Sequence, residues 1–183
     1  LDQGFDSFVG YVSQIRAHNS YPEWLWKNRD TMHLDNKVML TEQGYAKGIG
    51  GVAYEKNTHS HDVFMEEATQ FINAHKDSSF FLYLALTIPH ANNEARAFDS
   101  IGMETPEMTD YVDTTGWPRT QKAHASMISY MDRDIGELLD QLKALGIDDH
   151  TLVIFTSDNG PHKEGGADPS FFKSQGPLRG YKR

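Results

Sequence analysis

The sequence predicts an α/β fold built on a mostly parallel sheet flanked by helices, and three observations carry that reading. Phe80 to Ile88 (FFLYLALTI) and Leu152 to Phe155 within TLVIFTSDN are uninterrupted apolar runs, rich in branched and aromatic residues, the pattern of strands buried on both faces. A helical pattern precedes each run. The order helix, strand, helix, strand makes one right-handed crossover unit, so both strands run the same way and their carboxyl ends share one rim.

The elements follow in order. Residues 1 to 60 hold Phe5, Phe8, Tyr11, Tyr21, Trp24 and Trp26 with Gly4, Gly10 and Pro22 between them. Neither a 3.6 nor a 2.0 period is sustained there, so the segment reads as irregular, with a short strand at Lys37 to Leu40 and rings packed on a neighbouring surface. His18 and Asn19, inside RAHNSYP, are of the loop type that serves binding, with a plain loop role as the alternative. Asp62 to about Lys76 reads as an amphipathic helix with acids in its first turn and basic residues at its end, as the helix dipole prefers. Asp77-Ser78-Ser79 connects it to the first apolar run, which stops at Pro89-His90. Residues 91 to 118 are irregular again. Arg119 to Leu145 is the longest helix: Met127, Tyr130, Met131, Ile135, Leu138 and Leu142 fall mostly on one stripe, and Gly146 supplies the stop. Two buried parallel strands do not make a whole sheet, so the chain is expected to be an internal piece of a larger α/β domain.

The second apolar run ends at Asp158 and Asn159. Ligands of open α/β sheets bind outside the carboxyl ends of the strands, and a carboxylate beside a carboxamide suits a hard cation, Ca²⁺ or Mg²⁺. The alternative is a plain Asp-Asn-Gly-Pro turn. His90 is expected on the same rim. Residues 160 to 183 form a loop by composition, in which Lys163, Lys173, Arg179, Lys182 and Arg183 are either a solvated face or the cations an anionic group such as sulfate or phosphate needs.

Composition excludes several classes. A formal charge of −9 argues against a nucleic-acid or anionic-membrane binder. No apolar run approaches the roughly 18 residues of a membrane span. With no cysteine, these residues hold no disulfide, thiolate metal site or cysteine nucleophile. LDQGFDSF has no basic n-region or apolar core, so the start at Leu1 reads as a cut, not a signal peptide.

Taken together, GFDSFVGY, HNSYPEWLWKN, FFLYLALTIPHA, YMDRDIGELLDQLKALG, TLVIFTSDNGPH, EGG and PLRGYKR resemble the catalytic domain of the sulfatases, type I sulfuric ester hydrolases of the alkaline phosphatase superfamily. The branch most resembled is that of arylsulfatase A and N-acetylgalactosamine-6-sulfatase. The resemblance implies a partial alkaline-phosphatase-like domain, with residues 1–183 an internal part of one catalytic domain. Position by position, it implies that Asp158 and Asn159 are Ca²⁺ ligands (Mg²⁺ being the other candidate), that His90 hydrogen-bonds the sulfate group, and that Lys182 holds a sulfate oxygen near the nucleophile. His162 would line the substrate pocket or serve a structural role, and Arg179 would be structural. The family's nucleophile is a formylglycine made in a Cys/Ser-x-Pro-x-Arg motif, which does not occur here. That motif, the paired aspartates and a Gly-Lys-x-x-His element are expected upstream, and a smaller subdomain downstream, so the 183 residues alone are expected to be inactive. The implied partner is a sulfated carbohydrate or an aryl sulfate ester, and the implied location periplasmic or secreted. The sequence carries no signal of oligomeric state. Two rivals remain open: a metal-dependent phosphoesterase or phosphomutase of the same superfamily, and a non-catalytic sulfated-glycan-binding relative.

Overall fold

The aromatic amino-terminal segment folds into sheet because its turns supply the bends a ladder needs. In the computed structural model, which describes residues 4–98, 100–106, 108 and 110–182, β1 (Val9–Gly10) is followed by the single turn α1 (Gln14–Ala17), then β2 (Trp24–Lys27) and β3 (Asp30–His33). These strands form an antiparallel sheet in the order β1-β2-β3, with Trp24 opposite His33 and Lys27 opposite Asp30. Asn28 makes the tight turn by adopting a left-handed backbone (φ 57°), and its side-chain oxygen accepts the Phe8 amide at 3.0 Å. A second hairpin joins β4 (Lys37–Leu40) to β5 (Gly51–Glu55), also antiparallel, with an irregularity at Lys37/Val38. Buried Asn36 pins the two regions together, donating to Pro22 O and Thr58 O at 2.8 Å each and accepting the Asn57 and Thr58 amides.

α2 (Ser60–His75) starts at His59, whose Nδ1 accepts the His61 amide at 3.2 Å, and buries Val63, Phe64, Met65, Ala68 and Ile72. Phe64 and Val63 meet Leu25 of β2 in one core. α3 (Arg119–Ala144) is 26 residues long, about 39 Å at 1.5 Å per residue. It ends as its glycine directs: Gly146 takes φ 69° and donates to Lys143 O, and the Ile147 amide donates to Leu142 O. Met127 and Ala123 of α3 form a second core with Ile88, Ala91, Met103 and Ala167. The two helices are pinned by His61 Nε2 to Asp134 Oδ2 (3.1 Å), Gln141 Nε2 to Thr69 O (2.9 Å) and Tyr130 to Asp62. α4 (Pro169–Phe172) is a single turn capped by Asp168.

The two apolar runs depart from expectation. Neither joins a ladder among the described residues, and the ladders present are antiparallel; the parallel sheet is not shown. Residues 81 to 86 alternate instead. Leu84 and Leu86 lie against the α2 core, whereas Phe81 and Tyr83 are 74% and 71% exposed. Leu152, Val153, Ile154 and Phe155 are all exposed. The apolar sequence marks surfaces that need cover, and these residues do not cover one another. Residues 4–60 also hold more regular structure than their pattern suggests, while the expected strand at 37–40 and both long helices are present. Arg183, counted in the basic tail, lies outside the described residues.

Candidate anion-binding site

Three chain segments meet where the first apolar run ends. Asn92 fixes the loop after His90: its backbone amide donates to Gly102 O at 2.7 Å, its Nδ2 donates to Gly51 O at 2.9 Å, and it is fully buried. The segment carrying Glu164 comes close because Gly165, at φ 60°, has no side chain; a Cβ there would run into the Ala91 methyl. The basic tail returns beside both, since Lys182 donates its amide to Pro161 O at 2.9 Å and forms a short parallel bridge with His162.

These constraints gather five side chains. His90 Nε2 lies 3.3 Å from Lys182 Nζ and 3.3 Å from Glu164 Oε2. Glu164 Oε2 is also 3.8 Å from both Lys182 Nζ and His162 Nδ1. His90 is the middle ring of a stack, 5.2 Å from His162 at 18° and 5.2 Å from His18 at 2°. His18 in turn shares its Nδ1 between the Glu94 oxygens at 3.0 and 3.2 Å, and both residues are buried. Tyr45 donates its hydroxyl to Glu94 Oε1 at 3.3 Å.

Protonation follows from these contacts. His90 Nδ1–H donates to Ala91 O at 2.7 Å, a tautomer assigned from the network, so the lone pair of Nε2 faces the Lys182 ammonium. Burial holds the His90 pKa below the usual imidazole range, outweighing the Ala91 bond, and the charge of Lys182 adds to the lowering. His162 is lowered by burial as well, against the pull of Glu164, and its Nδ1 accepts the Glu164 amide at 3.1 Å. For Glu94, burial alone would raise the carboxyl, but the His18 hydrogen bond and charge bring it below the ordinary range. The result is a half-buried ammonium flanked by neutral imidazoles, with one carboxylate against it. Such a site can exchange that carboxylate for an external oxyanion.

Of the residues singled out from sequence, the structure thus brings together His18, His90, His162 and Lys182. Asp158 and Asn159 are exposed on the loop preceding His162; Asn159 donates Nδ2 to Gly160 O at 3.0 Å and its carbonyl accepts from Ser157 Oγ. Their oxygens fit a hard cation as part of a shell only, since Ca²⁺ takes six to eight oxygens and no group of three or more His, Cys, Asp or Glu among the described residues converges on one point. Sequence reasoning gave no role to Glu164, Glu94 or Tyr45. Glu164 carried a signal, standing in the EGG motif; Glu94 and Tyr45 sit in loops without periodicity.

A lysine, a stack of three histidines and a carboxylate thus meet at one place on a mixed α/β chain. Residues 2–183 match the sulfatase family model, and the chain belongs to the sulfatase family. It is 29% identical over 181 residues, 99% of its length, to the uncharacterized sulfatase YdeN of Escherichia coli, of which it covers 26%. It is 30% identical over 102 residues, 55% of its length and 16% of the relative's, to an N-acetylgalactosamine-6-O-sulfatase of Bacteroides thetaiotaomicron. An arylsulfatase of Klebsiella aerogenes is 36% identical over 73 residues, 38% of this chain and 15% of that one. The chain spans about a quarter or less of the length of these relatives.

Proposed function

We propose that the protein to which this chain belongs hydrolyses sulfuric esters, releasing inorganic sulfate from a sulfated carbohydrate or an aryl sulfate. The convergence of Lys182, His90 and His162 from separate segments supports this reading most. The names of the relatives, which include an N-acetylgalactosamine-6-O-sulfatase and an arylsulfatase, support the substrate class.

In this reading Lys182 binds a sulfate oxygen and Glu164 gives way to it. Because His90 Nδ1 is committed to Ala91, a hydrogen bond from the ring to sulfate needs a proton on Nε2. The arriving anion favours that proton, offsetting the burial that otherwise holds the ring neutral. Fixed positive groups then stabilise the transition state more than the ground state, as negative charge gathers on the oxygens they face. Asp158 and Asn159 would contribute two ligands to a Ca²⁺ shell, in which calcium would add fixed positive charge, and the family's formylglycine would supply the attacking oxygen. The 183 residues alone release no sulfate.

The test is an assay of the full-length protein on p-nitrophenyl sulfate and on an N-acetylhexosamine 6-sulfate, with the matching phosphate esters alongside. Sulfate release from either sulfate ester, faster than phosphate release, is expected. Preference for the phosphate esters, or turnover of neither class, overturns the proposal.

A further inference from the structure

Tyr45 stands apart from the other aromatic residues near the site. The residue is 71% exposed, yet the chain on either side is fixed. The loop between β4 and β5 is closed by Thr41 N to Gly50 O, Gly48 N to Thr41 O and Gly50 N to Ala46 O, all 2.9 Å, and the neighbouring Ala46 is buried. The hydroxyl is tied down too, donating to Glu94 Oε1. Glu94 reaches under this loop because residue 50 is glycine; a Cβ there would lie 2.8 Å from the Glu94 Cγ. An exposed aromatic ring anchored at both backbone and hydroxyl is not serving the core.

Its location gives it a use. The carboxylate that holds the Tyr45 hydroxyl also holds His18, and His18 stacks on His90. The contacts thus run from Tyr45 through Glu94 and His18 to His90, with the exposed ring at the outer end of that chain. A sulfate ester brings two parts to such a site, an anion for Lys182 and His90, and the ring of the alcohol that carries it.

We propose that Tyr45, held by Glu94, is the platform on which the ring of the alcohol moiety, a sugar or an aryl group, stacks while its sulfate occupies the Lys182–His90 centre. This rests on the sulfatase reading. The physical basis is that an immobilised, solvent-facing tyrosine offers apolar area with little conformational entropy left to lose, and the apolar face of a pyranose or arene covers it.

The experiment compares a ring-bearing probe with a ringless one in the full-length protein: KM for p-nitrophenyl sulfate, and the competitive inhibition constant of inorganic sulfate. In Tyr45→Ala the KM is expected to rise about tenfold, the loss of one ring contact, while the sulfate inhibition constant moves less than about twofold. Tyr45→Phe, which keeps the ring and drops the tether, is expected to fall between wild type and Tyr45→Ala. A KM within twofold of wild type in Tyr45→Ala overturns the proposal. So does a parallel rise of KM and of the sulfate constant, which would place the effect in the oxyanion centre, or a Tyr45→Phe as impaired as Tyr45→Ala, which would assign it to the hydroxyl. If the wild-type protein releases sulfate and any of these results is found, the platform alone fails. If the wild-type protein releases none, the sulfatase reading fails and the platform with it.

Discussion

Lys182 reaches His90 because the backbone at Pro161 holds it there. As the one ammonium in the centre among the described residues, it is the group whose loss removes most positive charge from the developing sulfate oxygens. Lys182→Ala in the full-length protein is expected to lower kcat about a hundredfold or more, by analogy with other preorganised donors, and steady-state kinetics on p-nitrophenyl sulfate reads it. Undiminished turnover would remove Lys182 from the chemistry. Histidine burial has a second consequence. His59, His61, His90, His124 and His162 all have pKa values pushed below the ordinary 6.5 by burial. Between 6.5 and those lower folded values the unfolded chain binds more protons, so stability is present above about pH 6.5 and is lost as pH falls. Glu94, held below its ordinary range, acts in the same direction further into acid. Melting temperatures of the full-length protein are therefore expected to fall progressively from pH 7 to pH 5. A flat profile would mean that these rings are not buried in the neutral form.

At the scale of elements, the site depends on how closely the Glu164 turn approaches the loop after His90. Gly165→Ala puts a methyl into Ala91 at a left-handed backbone position, and is expected to destabilise by about 1–3 kcal/mol, read by urea unfolding. A neutral substitution would show that the two loops can separate freely. α3 supports the same region from below, with Met127 fully buried against Ile88 and Ala91. Met127→Ala is expected to cost about 2–5 kcal/mol, the usual range for a large side chain lost from a packed core, checked by the same measurement. α3 was legible in the sequence, because its apolar stripe from Met127 to Leu142 runs for about four turns and Gly146 ends the helix. The β1-β2-β3 sheet was not, because strands of two to four residues hold no period and their register depends on the backbone of Asn28.

For the whole molecule, the main feature is apolar surface left bare. Phe81, Tyr83, Leu152, Val153, Ile154 and Phe155 are each more than half exposed, in two runs that take no ladder partner among the described residues. Unpaired apolar edges of this kind recruit other chains. The 183 residues produced alone are expected to bind the dye ANS and to self-associate in light scattering, and the full-length protein to do neither. A monomeric, dye-silent segment would mean that the two runs find cover within these residues.

The sequence alone determined the two long helices and the family, and singled out four of the gathered side chains, His18, His90, His162 and Lys182. Periodicity is a local property, and ordered motifs survive in a linear string. Only the tertiary structure decided that Glu164 faces Lys182, that His18 stacks on His90 with Glu94 beyond it, and that Tyr45 binds Glu94. Those placements depend on close approaches at Gly50, Gly102 and Gly165 and on the buried amide of Asn92, contacts between residues far apart in the chain that no local pattern records.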